Sequence, residues 1–138
     1  MTQDIRWMQR FENYDRALKL LREPFAGDVT ALSALERGGT IQRFEVALEL
    51  AWKTLKDYLE HEGREVSAAT PRAVLKEAAV FGILGDAHVW IDMVESRNRL
   101  SHTYDGSTFD EVVLAIRDRY LVAFDSLHAW LLERSVSG

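Results

Sequence analysis

The sequence predicts an all-α chain, an antiparallel up-and-down bundle of five or six helices. Three observations predict it. Apolar residues recur at intervals of three and four along almost the whole length, and strand-like alternation is absent. The two prolines, Pro24 and Pro71, both fall at natural boundaries, and the glycines Gly27, Gly38, Gly39, Gly63, Gly82, Gly85 and Gly106 sit at or near breaks in the pattern. With 138 residues, 47% of them hydrophobic, the chain has the length of one ordinary domain, expected to be a single unit over 1–138 with a sizeable core.

The first helix is expected from Asp4 to Leu21, where Trp7, Phe11, Tyr14, Leu18 and Leu21 form one stripe, and Pro24 marks its end. A short segment follows from Asp28, a plausible N-cap, to Arg37, and stops at Gly38-Gly39. A long helix runs from Ile41 to His61, with Phe44, Leu48, Trp52, Leu55 and Leu59 inward, and Gly63 ends it. Thr70 before Pro71 is an N-cap followed by proline at the first helical position, so a helix starts there and ends near Phe81-Gly82. Asp86 caps the next helix, which carries Trp90, Ile91 and Val94 and is broken at Gly106. Thr108 and Glu111 have capping-box spacing, and the last helix follows with Phe109, Val112, Ile116, Tyr120, Ala123, Leu127 and Trp130 inward.

Composition narrows the function classes. No cysteine is present, which removes disulfides, zinc-thiolate sites and thiol catalysis, and fits a cytoplasmic setting. The first residues are charged and lack a signal-peptide apolar stretch, and no apolar run is long enough to span a membrane. Seventeen basic residues against 22 acidic give a net charge of −5, with no basic stripe, so duplex DNA is not the expected ligand. A nucleic acid would have to meet a local site or one assembled between subunits. His61, His88, His102 and His128 lie far apart and none belongs to an HExxH or ExxH arrangement, so neither a metal site nor a cofactor is expected. Trp7, Trp52, Trp90 and Trp130 fall on or beside the apolar stripes and read as core or interface packing. Glu45, Glu49, Lys53 and Asp57 read as a solvated helix face with local ion pairing, and Lys53 and Lys56 are secondary candidates for touching a partner.

One stretch stands apart: RNRLSHTYD, residues 97–105. With Val94 at the centre of the inward stripe and about 100° per residue, Arg97, Asn98 and Ser101 fall within about 60° of the stripe, and His102 and Tyr104 flank it. A polar helix end is the bland reading, since a C-terminal His or Arg suits the helix dipole. Five hydrogen-bonding side chains on or beside an inward face need partners if buried, which favours a wet cleft or a subunit interface. The chemistry available there is coherent. Arg97 offers a cationic fork for phosphate oxygens and His102 titrates near neutrality. Asn98 and Ser101 can orient either group, and Tyr104 adds a hydroxyl and a stacking face. Cleaving RNA through its 2′-hydroxyl without metal needs a proton acceptor, a proton donor and a cation at the phosphorane. Two copies across a two-fold axis would supply them. Arg97 and His102, five residues apart, stand about 140° apart on a regular helix. Either the last turn loosens before Gly106, or the working pair joins Arg97 of one chain to His102 of another.

RNRLSHTY reads as R-x4-H-x-Y and resembles the signature of HEPN-domain proteins, in particular the small HepT-type toxins, also described as nucleotidyltransferase substrate-binding proteins. Residues 44–63, 70–84 and 90–105 resemble that family's successive blocks, so the likeness covers nearly the whole chain in order. The resemblance implies a helical bundle that pairs as a homodimer with its R-x4-H faces meeting, and a metal-independent endoribonuclease toxin. It implies a small cognate nucleotidyltransferase as partner and antitoxin, able to transfer AMP to the motif tyrosine. Carried over, Arg97 binds phosphate and stabilises the transition state, His102 is the acid–base group, Asn98 is polar support, and Tyr104 is the modification acceptor. The alternative role is a non-catalytic subunit that presents substrate or nucleotide to the same partner. Leu100 departs from the family, which often has a second polar residue there, and is expected to alter substrate contacts.

Overall fold

The computed structural model describes residues 2–102 and 105–137, and among them every regular element is helical. Helix α1 (Thr2–Arg22) is followed by two 3-10 turns, Glu23–Ala26 and Val29–Ala31. Helices α2 (Ala34–His61), α3 (Pro71–Phe81) and α4 (Ala87–His102) come next. The last rod comprises α5 (Gly106–Ala115), a π turn (Ile116–Tyr120) and α6 (Leu121–Ser137). Ala115, Ile116 and Leu121 keep right-handed helical dihedrals, so these three segments run on without a break. The expected five or six helices are thus five rods.

The boundaries follow local chemistry. Thr70 caps α3, accepting from the Ala73 N–H at 3.3 Å, with Pro71 at the first helical position. Asp86 accepts from the His88 N–H at 3.1 Å at the start of α4. Gly63 and Gly82 adopt φ of 76° and 90°, the left-handed conformation that closes a helix end and that a side chain disfavours.

Two boundaries differ from the sequence reading. Gly38-Gly39 does not stop a short helix. Instead α2 begins at Ala34 and passes straight through both glycines. Its start is set by a capping box: the Ser33 hydroxyl accepts from the Glu36 N–H at 3.1 Å, and Glu36 accepts from the Ser33 N–H at 2.8 Å. That cap and the packing beyond it outweigh about 1 kcal/mol of propensity lost at each glycine. Asp28 does act as a cap, but of the 3-10 turn at Val29–Ala31. At the other difference, Thr108 and Glu111 do not form the expected capping box. Asp105 caps α5, accepting from the Ser107 N–H at 3.0 Å and the Ser107 hydroxyl at 2.8 Å.

Helices α1 and α2 are antiparallel, since Arg10 meets Asp57 near one end of the pair while Arg43 reaches the Leu20 carbonyl and Glu23 at the other. Asp57 is consequently not on a solvated face as expected: it is buried, and Arg10 Nε donates to it at 2.9 Å. Helix α2 is the central element and packs against α1, α3, α4 and α5. Trp7, Trp52 and Trp90 are buried and Trp130 is partly so, in line with a packing role.

The inward stripe of the last rod also shifts. Val112, Ile116, Tyr120 and Leu127 are buried as expected, but Phe124 and Leu131 take the core positions assigned to Ala123 and Trp130. The π turn has the wider i→i+5 bonding over Ile116–Tyr120, and beyond it the core stripe runs through Phe124, Leu127 and Leu131. Phe124 then sits where the rings of Tyr14, Phe44 and Trp90 converge.

Candidate functional site: the end of helix α4

The buried residues of α4 are Trp90, Met93, Val94, Ser96 and Leu100. Their mean direction lies about 80° round the helix from Val94, close to Met93. This corrects the inward stripe centred on Val94. Arg97 stays near the core-facing side, with its side chain 29% exposed against α2. Asn98, Ser101 and His102 turn out to solvent. Leu100, the position where the sequence departs from the family's polar residue, is a core residue. The polar row is therefore one half-buried arginine flanked by exposed groups, and not a continuous inward stripe.

Helical geometry persists through His102, so Arg97 and His102 belong to one regular helix. Arg97 and His102 remain about 140° apart around one helix. No described residue hydrogen-bonds His102 or pairs with it. Tyr104 lies outside the described residues. The Asn98 side-chain oxygen Oδ1 accepts from Arg97 Nη2 at 3.3 Å, so those two do meet. The Ser101 hydroxyl donates back to the Arg97 carbonyl at 3.1 Å, a bond internal to the helix.

The structure adds partners that the sequence reading did not connect with Arg97. Glu49 on α2 lies 3.7 Å from Arg97 Nη1. Lys53 Nζ lies 2.9 Å from the same carboxylate, and Trp52 Nε1 donates to it at 3.0 Å. The spacing of Glu49 and Lys53 announces their own ion pair, but nothing local announces that α4 passes beside them. Behind the site, the buried Ser96 hydroxyl pairs with the Tyr120 hydroxyl at 2.8 Å, and Tyr120 stacks on Phe44 with ring centroids 5.6 Å apart. The π turn thus delivers a polar anchor under α4 one residue before Arg97. Arg99 reaches Glu111 at 3.5 Å and ties the end of α4 to α5.

The two α2 carboxyls nearest Arg97 are perturbed in opposite directions. Burial pushes Glu45 above the ordinary 4.5, and the Arg97 charge only partly offsets it. Burial also acts upward on Glu49, but the bonds from Lys53 and Trp52 and the charges of Lys53 and Arg97 outweigh it and hold that carboxyl below 4.5. The signs follow by linkage. The stability Glu49 contributes is complete above its unfolded value and is lost as pH falls through its depressed one. The destabilisation from ionised Glu45 is relieved as pH falls through its raised one. A carboxyl-carbon NMR titration is expected to place Glu45 above 4.5 and Glu49 below it, and Arg97→Ala should move both upward. The reverse order would contradict this electrostatic picture.

Among the described residues no cluster of three or more His, Asp or Glu is arranged to hold a metal ion, and no helix is long and apolar enough to cross a membrane. A family model described as nucleotidyltransferase substrate binding protein like matches residues 9–133. The chain belongs to this family. Within the nucleotidyltransferase substrate-binding family, the chain is 33% identical over 100 residues to a probable ribonuclease HepT of Haemophilus influenzae, covering 70% of this chain and 68% of that protein. A solved structure from Thermus thermophilus superposes with a TM-score of 0.70 at 33% identity, over 88% of this chain and 98% of that one. A second, from Haemophilus influenzae, is described as showing the fold of a substrate-binding domain of a nucleotidyltransferase. It superposes with a TM-score of 0.64 at 26% identity, over 93% and 98% of the two chains. The likeness read from residues 44–63, 70–84 and 90–105 therefore holds at the level of family and fold.

Proposed function

We propose that the protein is a HEPN-type toxin of a two-gene toxin–antitoxin system, a metal-independent endoribonuclease whose site is built from Arg97 and His102 of a homodimer. The observation that carries this reading is the contrast at the end of α4. Arg97 is a half-buried cation with only a loose ion pair, and His102 is an exposed imidazole with no structural partner among the described residues. Side chains held for packing would be sealed or paired; these two remain available. In the reaction the 2′-oxygen attacks phosphorus and the bond to the 5′-oxygen breaks. At each of two equivalent sites the His102 of one copy accepts the 2′ proton and passes it to the leaving 5′-oxygen, and the Arg97 of the other copy stabilises the phosphorane. The relative described as a probable ribonuclease HepT supports the same reaction class.

The cognate nucleotidyltransferase would act as antitoxin by transferring AMP to Tyr104. The phenol oxygen attacks the α-phosphorus of ATP, its proton goes to base or solvent, and pyrophosphate leaves. The added phosphate would place negative charge two residues beyond His102 and oppose an incoming RNA phosphate. A second reading, a non-catalytic subunit presenting substrate to that nucleotidyltransferase, is favoured by the family description and by Glu49, which partly neutralises Arg97.

The test is cleavage of single-stranded RNA by the purified chain. Arg97→Ala and His102→Ala are each expected to reduce the rate by roughly 10²–10⁴-fold. Equal, background-level behaviour of all three proteins would remove the enzyme and leave the subunit. Incubation with the nucleotidyltransferase and ATP should add AMP to the intact mass, and Tyr104→Phe should abolish the addition.

A further inference from the structure

Glu49 joins three side chains of two helices, Lys53, Trp52 and Arg97, into one small electrostatic unit. One carboxylate oxygen lies 2.9 Å from Lys53 Nζ. The other accepts from Trp52 Nε1 at 3.0 Å and faces Arg97 Nη1 at 3.7 Å. The two short contacts come from the same helix, three and four residues on, and Trp52 is buried and fixed. Lys53 also stands 5.9 Å from the centre of the Trp52 ring. The carboxylate is therefore held by α2, while the arginine of α4 only approaches it. A strong arginine–carboxylate pair is a two-point fork at about 2.8 Å. This one has a single longer approach, so most of the guanidinium fork is not committed to it.

The arrangement has a direct consequence for an anion. A phosphate oxygen can take the Arg97 fork without leaving Glu49 unpaired, because Lys53 and Trp52 still hold it. The carboxylate charge nevertheless stays within a few ångströms of the incoming phosphate and opposes it. Lys53 supplies a second cation beside the same spot. We propose that Arg97 and Lys53 form one phosphate seat, that Glu49 occupies it in the free chain, and that this carboxylate sets how tightly the site takes a phosphate from RNA or from a nucleotide. The inference rests on the reading of Arg97 as a phosphate-binding residue. Its chemistry also bears on the net charge of −5: a chain without a basic stripe relies on two local cations, and its own carboxylate tempers them.

The experiment measures binding by anisotropy at several KCl concentrations, with a fluorescein-labelled single-stranded RNA oligonucleotide and, separately, labelled AMP. All variants carry His102→Ala so that the RNA stays intact. Glu49→Gln keeps an acceptor for Trp52 and removes the charge, and the melting temperature checks its folding. It is expected to bind about fivefold or more tightly at low salt and, for RNA, to steepen the dependence of log Kd on log salt by about one. Lys53→Ala, a surface change, should weaken binding and flatten that dependence by about one. Tightening with RNA assigns the seat to the RNA backbone, and tightening with AMP alone assigns it to a nucleotide. Unchanged or weaker binding of both probes by Glu49→Gln overturns the proposal, as does indifference to Lys53→Ala. Arg97→Ala separates the two levels. If it weakens RNA binding while Glu49→Gln does not tighten it, only the seat fails. If it leaves RNA binding unchanged, the reading of Arg97 itself fails.

Discussion

Mixed dimers of Arg97→Ala and His102→Ala chains are expected to cleave RNA although neither variant does so alone. The geometry of α4 leads to this result. The helix is regular through His102, which places Arg97 toward α2 and His102 about 140° round on the solvent side. One phosphate cannot sit centrally before both. In a two-fold dimer the arginine of one copy can face the histidine of the other, and two equivalent sites result. A dimer of one chain of each variant then has one site with neither residue and one with both. Random pairing makes half the dimers mixed, each with one good site of two, so about a quarter of the wild-type rate returns. Co-expression with two affinity tags isolates the mixed species, where about half should return. A mixed dimer as inactive as its parents would mean that both residues act from the same chain, and the composite site would have to be abandoned. Mixing the double variant with itself gives the baseline.

The parts of this site that were legible in the sequence are those written in local spacing. The R-x4-H-x-Y run, the Thr70-Pro71 start of α3, the Asp86 cap and the Gly63 and Gly82 stops each depend on residues within a turn or two of one another. What was not legible depends on contacts between elements. Val94 looks central in an apolar run, yet Met93, Ser96 and Leu100 define the buried face once α4 lies on its neighbours. Ser96 was the least visible member, since a buried serine is recognised only when its partner, Tyr120, is known to be 2.8 Å away. Tyr120 in turn closes the π turn, and the next core position falls on Phe124 and not on Ala123. Glu49 shows the same limit. Its bond to Lys53 follows from i,i+4 spacing, whereas its approach to Arg97 joins residues 48 positions apart. Gly38-Gly39 misled in the other direction, because a good cap at Ser33 and packing further along α2 carry the helix across two poor helix formers.

The largest stability loss is expected for Phe124→Ala, and the effect should reach the candidate site at the end of α4. Phe124 is fully buried, and its ring lies 5.4 Å from Trp90, 6.3 Å from Phe44 and 6.3 Å from Tyr14. It therefore joins α6 to α4, α2 and α1 at one point. Its carbonyl also accepts the Tyr14 hydroxyl at 2.6 Å, a bond that the substitution leaves chemically possible but no longer braced by the ring. Removing a buried phenyl at such a junction costs about 3–5 kcal/mol, the lost transfer energy together with the cavity left behind. For a chain of this length that is roughly 10–20 °C in Tm. Phe124→Leu, which refills much of the volume, should recover most of the loss. Val122→Ala on the same helix is the control: Val122 is 64% exposed, so its effect should stay within about 0.5 kcal/mol. Trp90 and Ser96 share the face of α4 that this junction supports, so Phe124→Ala should also increase hydrogen exchange along α4 towards Arg97. A melting temperature within a few degrees of wild type would show that the rings close over the cavity, and Phe124 would not then be the joint between α6 and α4.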